Sequence, residues 1–199
     1  MKPFAESSEQ NKHAILAVLE QEFTQTHSVL EIGSGTGQHA VYFAEQLSHL
    51  YWHASDVAEN LPGISLWLRD YPGHNLLGPY PLDVTQANWP VSQIDAVYSA
   101  NTAHIMHWPA VQAMFAGVGR VLQAGGRFCL YGPFNYHGAY TSESNARFDD
   151  WLKARDPASG VRDIDDLSAL ATAAGLNLLR DHTMPANNRT LVWEKPRSR

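Results

Sequence analysis

The chain has 199 residues, 44% of them apolar, the size of one ordinary domain with its own core. Fourteen Lys and Arg against twenty Asp and Glu leave a formal charge of -6. No positive surface is then available in bulk to gather polynucleotide phosphates or an anionic membrane, and the balance favours a small or neutral ligand. A single cysteine, Cys129, excludes an internal disulfide framework and a multi-cysteine zinc site. Residues 1–10 lack the charged and apolar regions of a secretion signal, and no apolar run is long enough to span a membrane, so a soluble cytoplasmic protein is expected. Lys195, Arg197 and Arg199 read as a solvated basic tail.

Apolar residues recur at helical spacing over 6–23, with Ile15, Leu16, Leu19 and Phe23 on one stripe and Ser8 placed as an N-cap. A short β-branched run over 28–32 stops at a glycine-rich turn, and 38–50 is helical in pattern. The alternation repeats, with a strand over 50–54 ending at Asp56, a helix over 59–71, and a strand over 76–82 interrupted by Pro79 and Pro81. A fourth strand over 94–99, a helix over 108–122 closed by Gly125 and Gly126, and a fifth strand over 127–132 follow. Regularity lapses over 133–161, a polar and aromatic excursion with a helix-like piece near Phe148 to Leu152, read as a lid over the strand ends. Asp163 caps a helix that Gly175 stops, and two closing strands over 176–182 and 190–194 are joined by residues 184–188. Strands alternating with helices imply one α/β domain with a parallel sheet and helices on both faces.

The sharpest chemical signal is the turn Glu31-Ile32-Gly33-Ser34-Gly35-Thr36-Gly37 between a strand and a helix. Glycines let the backbone turn tightly and approach a ligand, and the helix N-terminus presents free N–H donors. The spacing is G-x-G-x-G followed by Gln38 and His39, which departs from the G-x-G-x-x-G of dinucleotide sites and ranks an NAD(P)-linked oxidoreductase low. Asp56 closes the second strand about 20 residues further on, where a carboxylate can accept both ribose hydroxyls of a nucleoside. Asp83 ends the third, and a simple turn-forming role competes for it.

Together with Leu82-Asp83-Val84, Ser99-Ala-Asn-Thr-Ala-His104 and Tyr131-Gly-Pro-Phe134, this turn resembles class I S-adenosylmethionine-dependent methyltransferases, and more narrowly the methyltransferase-like 26 / DUF938 family. The resemblance runs from Val29 through Glu194. It implies a Rossmann-like, seven-stranded, mostly parallel sheet whose last strand is antiparallel, and S-adenosylmethionine as cofactor, with S-adenosylhomocysteine as product. It places the methionine amino end at Glu31, the backbone cradle at Gly33, Ser34, Gly35, Thr36, Gly37 and His39, and the ribose at Asp56. The adenine falls to Asp83 and Val84, with Ser99 and Asn101 beside the cofactor. A protein that binds the cofactor without catalysis is the alternative, because binding needs only these strand ends.

Methyl transfer from a sulfonium is an in-line displacement that depends on positioning and exclusion of water, and a proton on the nucleophile calls for a base. His104, in the loop after the fourth strand, is the candidate, with a hydrogen-bonded structural histidine as the competing reading. His104 and His107 lack a third neighbouring ligand in sequence, so no metal site is expected. Substrate-pocket candidates are Asn11 on the leading helix, beside Glu9, and Tyr131, Asn135, Tyr140 and Arg162 around the excursion, whose Phe134 and Tyr136 are further aromatic candidates. The Asp/Asn-Pro-Pro-Tyr/Phe signature of amide and adenine methylation is absent, which leaves a small-molecule acceptor and no nucleic acid.

Overall fold

The computed structural model describes residues 1–198. Among the described residues six α-helices, α1 (Glu6–Glu22), α2 (Gln38–Gln46), α3 (Leu61–Arg69), α4 (Trp108–Val121), α5 (Glu143–Arg155) and α6 (Ile164–Ala173), and one short 3-10 turn, Ala58–Asn60, are interspersed with nine strands. The strands are β1 (Ser28–Ile32), β2 (Tyr51–Asp56), β3 (Leu76–Pro81), β4 (Ile94–Ala100), β5 (Leu122–Gly132), β6 (Phe134–Asn135), β7 (Arg162–Asp163), β8 (Asn177–Met184) and β9 (Asn188–Glu194).

Seven strands form one sheet in the order β3-β2-β1-β4-β5-β9-β8. β1 to β5 run parallel, and β9 enters antiparallel between β5 and β8. Alternate residues of the central strands face two separate cores. Leu30, Ile32, Val97, Phe128 and Leu130 pack with Val111, Phe115 and Val118 of α4 and Leu167 of α6. Val29, Ala96, Tyr98 and Cys129 pack on the other side with Ile15 and Leu19 of α1, Phe43 of α2 and Ile64 of α3. Because both faces are covered, the central strands carry apolar residues on both sides instead of a strict apolar and polar alternation. β3 lies at the sheet edge, the one place where Pro79 and Pro81 cost few ladder bonds.

Several local expectations are corrected. α1 starts at Glu6 with Ala5 as N-cap and no capping side chain of its own, so Ser8 sits inside the first turn. The outside carboxamide of Gln38 takes the Ala5 N–H at 2.6 Å and replaces a local cap. Helix α2 stops at Gln46, and β5 begins at Leu122 directly after α4, with a register shift that absorbs Gly125 and Gly126. The excursion 133–161 is more ordered than its composition suggests: α5 has three and a half turns, capped by Ser142. Its two ends are clasped by the parallel pair β6 and β7. Asp163 caps α6 as expected, through the Asp165 N–H. Lys195 is not solvated, since its ammonium donates to the carbonyls of Gly119 and Leu122 at the end of α4, and Arg199 lies outside the described residues. No helix among the described residues is long and apolar enough to cross a membrane.

Candidate functional site

Strand order reverses between β1 and β4, since β2 lies on one side of β1 and β4 on the other. Loops leaving the carboxyl ends of these two strands therefore diverge and open a crevice. The glycine turn after β1 forms one wall. Gly33, Gly35 and Gly37 all have positive φ, at 76°, 60° and 95°. A Cβ on Gly33 would lie 2.6 Å from the Thr102 methyl, whereas one on Gly35 would meet nothing within 4 Å. Gly33 thus lets the turn touch the β4 loop, and Gly35 leaves bare backbone facing a cavity of about 640 Å³.

Two carboxylates line that cavity. Glu31 is 2% exposed and takes the Trp52 indole N–H at 3.0 Å. Burial pushes its carboxyl up to about 7, against the opposing pull of hydrogen bonds from Ser34 and Trp52, and nearby Asp56 adds to the rise. Among the described residues no cation pairs with this buried acid, and protonation is what relieves its burial. Asp56 accepts from the N–H groups of Gly35 and Val57, both at 2.7 Å, and from the Asn60 amide at 3.0 Å. Three of its roughly four acceptor positions are therefore filled, and a diol could be held through both hydroxyls only if one of these bonds moves aside. The turn and Asp56 thus form one hydrogen-bonded unit, which the expectation of a free carboxylate did not contain.

The N-terminal end of α1 roofs the cavity through Pro3, Ala5, Ser7 and Ser8. Gln38 is the fastener: its carbonyl oxygen accepts from Ala5 N–H and the Thr36 hydroxyl, and its amide donates to Glu9. Glu9 therefore faces α2 and is not one of the cavity-lining residues. His39 Nε2 meets the Ser8 carbonyl at 3.2 Å and Asn11 Oδ1 at 2.8 Å, both acceptors, so this nitrogen carries the proton. Its Nδ1 then accepts from the Tyr98 hydroxyl at 3.2 Å. Burial lowers the His39 pKa to about 4, and the ring stays neutral as a three-way joint between α1, α2 and β4.

A second cavity, of about 830 Å³, adjoins the first and shares Ser7, Asn101 and Ile105 with it. Asn101 takes φ of 55°, its N–H bonded to the Tyr131 carbonyl at 2.9 Å, and lies on the boundary of the two spaces. His104, Tyr131 and Asn11 line the second cavity. His104 is 5% exposed, and burial, with Arg162 nearby, lowers its pKa to about 4. Its ring meets Phe148 edge to face at 5.3 Å. The far wall is α5, with Asn145, Phe148 and Trp151, and the hairpin between β8 and β9. Sequence reasoning missed Gln38, Asn145, Phe148, Trp151 and the hairpin. The i, i+3 pair Phe148 and Trp151 was the one available signal for them.

Other expected residues are not brought to these cavities. Asp83 is exposed and receives both the N–H and the hydroxyl of Thr85, which makes it a turn former. Val84 packs its side chain into the core. Ser99 is wholly buried, and its hydroxyl bonds to the Ile32 carbonyl and to Thr102. Phe134 is core, and Tyr136 donates to Asp181. Tyr140 donates its hydroxyl to Asp149 and is not among the residues lining the second cavity. Asn135 and Arg162 line a separate hollow beside Trp108 and Asp163. Arg162 spends its guanidinium on the carbonyls of Ala103, Met106 and Ala158, so it holds the His104 loop in place from behind. His107 pairs with Asp156 on the surface. Among the described residues, no three His, Cys, Asp or Glu side chains are grouped to hold a metal.

A seven-stranded sheet in this order, with a glycine turn and buried acid at the switch point, is the architecture of class I methyltransferases. Superposition on solved structures agrees. The chain matches the S-adenosylmethionine-dependent methyltransferase SibL over 96% of its own length and 56% of that protein's, at a TM-score of 0.80 and 19% identity. An O-methyltransferase family protein from Burkholderia thailandensis matches at 0.82 and 11%, covering 94% of this chain and 57% of that one. Human N-acetylserotonin methyltransferase in complex with SAM matches at 0.79 and 12%, covering 96% and 53%. The chain thus spans little more than half the length of these proteins. Residues 2–195 match the family described as protein of unknown function DUF938, and the chain belongs to that family.

Proposed function

We propose that the protein transfers a methyl group from S-adenosylmethionine to a small-molecule acceptor. The observation that carries the proposal is Glu31, a carboxyl buried under a glycine turn at the sheet's switch point with no cation to balance it. An α-ammonium group supplies that cation, and the open backbone at Gly35 supplies room for the chain that bears it. Asp56 and Asn60 stand on the same wall for the ribose. When bound, the cofactor supplies an electrophilic methyl on a sulfonium.

The protein's own part is to orient and to move a proton. Asn101, on the boundary of the two cavities, fixes the passage between them. Burial keeps the His104 pKa low, and among the described residues no side chain hydrogen-bonds its ring, so a ring nitrogen is available to accept the acceptor's proton. Arg162 positions that histidine through the carbonyls of its loop. Asp83, Val84 and Ser99 keep only an indirect share: Asp83 shapes the turn after β3, and Ser99 holds β4 against β1.

Calorimetric titration with S-adenosylhomocysteine and with NAD tests the cofactor. Binding of the former alone is expected, and Asp56→Ala is expected to weaken it by about 1.5 to 3 kcal/mol, the range for lost charge-assisted hydrogen bonds. NAD binding without any response to S-adenosylhomocysteine would remove the proposal.

A further inference from the structure

The first cavity has four walls, and three of them come from the carboxyl ends of β1, β2 and β4 and the segments that follow these strands. The fourth is Pro3, Ala5, Ser7 and Ser8, the segment that enters α1 and the first turn of that helix. This wall is built differently. No residue before Ile15 is buried, whereas the second half of α1 buries Ile15, Val18, Leu19 and Glu22.

Polar contacts hold the first half instead. The Trp67 indole N–H donates to the Pro3 carbonyl at 2.7 Å, the Gln38 carbonyl accepts from Ala5 N–H at 2.6 Å, and His39 donates to the Ser8 carbonyl at 3.2 Å. Lys2 pairs with Asp70 at 2.6 Å, but both side chains face water, where such a pair adds little. A segment held by a few bonds that water can replace opens at lower free energy than one held by apolar burial. Its tip rests on α3 at Gly63, where a Cβ would lie 2.9 Å from the Pro3 Cγ and 3.8 Å from the Pro3 Cβ. Glycine inside a helix is otherwise unfavourable, and here its bare backbone is the seat for the proline ring. The same segment serves the other side as well: Ser7, Gln10, Asn11 and Ala14 line the second cavity, and Ser7 lines both.

We propose, on the cofactor reading of the first cavity, that residues 2–14 form a movable wall, hinged where α1 becomes buried at Ile15, which swings off α3 to admit the cofactor and closes on it to complete the acceptor cavity. Entry and release then pass one gate, so a change in the latch moves both rates in the same direction. A fixed wall that only touched the bound molecule would move release alone.

Stopped-flow binding of S-adenosylhomocysteine, read by tryptophan fluorescence, measures the two rates. Pro3→Cys combined with Gly63→Cys sets two Cβ atoms at a separation suited to a disulfide, and the native Cys129 is buried away from them. Oxidation of this pair is expected to slow association and release by about tenfold or more, and dithiothreitol to restore both. Trp67→Phe, which removes the indole donor, is expected to raise both about fivefold. Rates indifferent to the redox state of the pair overturn the proposal, as does a Trp67→Phe protein whose association rate is unchanged. Failure of the pair to oxidise also overturns it, because the segment would then not seat on α3. Should S-adenosylhomocysteine not bind the unaltered protein, the cofactor reading falls, and amide hydrogen exchange judges the wall by itself: residues 6–14 are expected to exchange faster than residues 15–22 and to slow when the pair is oxidised. Equal exchange along α1 overturns the wall and leaves the cofactor reading in place.

Discussion

Glu31 is the most deeply buried acid of the first cavity. Its carboxyl has an ordinary value of 4.5 and a folded value of about 7, raised by burial. A raised carboxyl stabilises the folded chain most when protonated, so that contribution declines as pH climbs from about 4.5 to about 7. A bound ammonium group reverses the preference and expels the proton. Titration with S-adenosylhomocysteine at pH 6 is therefore expected to release nearly one proton, about one per site, and at pH 8 almost none, read from the dependence of heat on buffer ionisation. Glu31→Gln should abolish the release and weaken binding. For His104 the sign is opposite: burial first, and Arg162 second, lower its pKa to about 4, so it remains a competent proton acceptor down to that range. At saturating S-adenosylmethionine, the kcat/KM profile for the acceptor should stay flat on its acid side from pH 8 to about 5 and fall below it. His104→Ala should lower kcat about 10²- to 10⁴-fold with unchanged affinity for S-adenosylhomocysteine. Loss of both together would make this histidine a structural one, the competing role that its burial also permits.

At the scale of elements, α5 is the most consequential discovery of the fold, because it turns an apparent loop into a wall. Its anchor is Asp149, 1% exposed, which accepts from the Val161 N–H at 2.8 Å, the Tyr140 hydroxyl at 2.5 Å and the Lys153 ammonium at 2.6 Å. Lys153 lies one turn along the same helix, Tyr140 ties the helix to the segment before it, and Val161 holds it to the end of the excursion. Gly160 completes the clasp by donating its N–H to the His104 carbonyl. Asp149→Ala should cost about 1 to 3 kcal/mol, as expected for stranded buried donors, and raise hydrogen exchange over Glu143–Arg155 more than over the sheet. Urea unfolding and exchange measured on the same protein check both parts. A Tyr140 substitution is accordingly expected to act through Asp149 rather than through a ligand. Its place on the excursion is right for a pocket residue, and its direction is not.

Across the whole molecule, α1 is tied at both ends. Its first turn is fastened over the glycine turn by Gln38 and His39. At its last turn Glu22, 3% exposed, receives the Arg180 guanidinium at 2.6 and 2.9 Å, Arg127 at 2.9 Å and His182 at 2.9 Å. Burial by itself would raise the Glu22 carboxyl, but Arg180 and His182 outweigh it and hold it below its ordinary 4.5. A lowered carboxyl stabilises above its unfolded value and loses that contribution as pH falls through the folded one. Glu22→Gln is expected to destabilise by about 3 kcal/mol at pH 7, because it leaves arginines facing a neutral group, and by much less at pH 3. Urea midpoints at the two pH values measure the difference.

The division between what the chain order displays and what it conceals follows from range. Alternating strand and helix, the tight turn at Gly33 to Gly37, and the acid before it are local signals, because backbone conformation and hydrophobic period act over a few residues. They were sufficient for the sheet, for the switch-point turn and for placing Glu31 and Asp56 at one rim. Asp83 shared the same local pattern and still turned outward to Thr85, since a side chain's direction depends on which neighbour claims it first. The wall of the second cavity was hidden for a related reason: residues 7, 11, 104, 148, 151 and 187 converge from four separate segments, and nothing within any one segment records the others. Sequence alone therefore determined the scaffold and the position of its turn, through short-range propensity. Only the tertiary structure decided which side chains share a cavity, because burial and hydrogen-bond competition are settled between elements far apart in the chain.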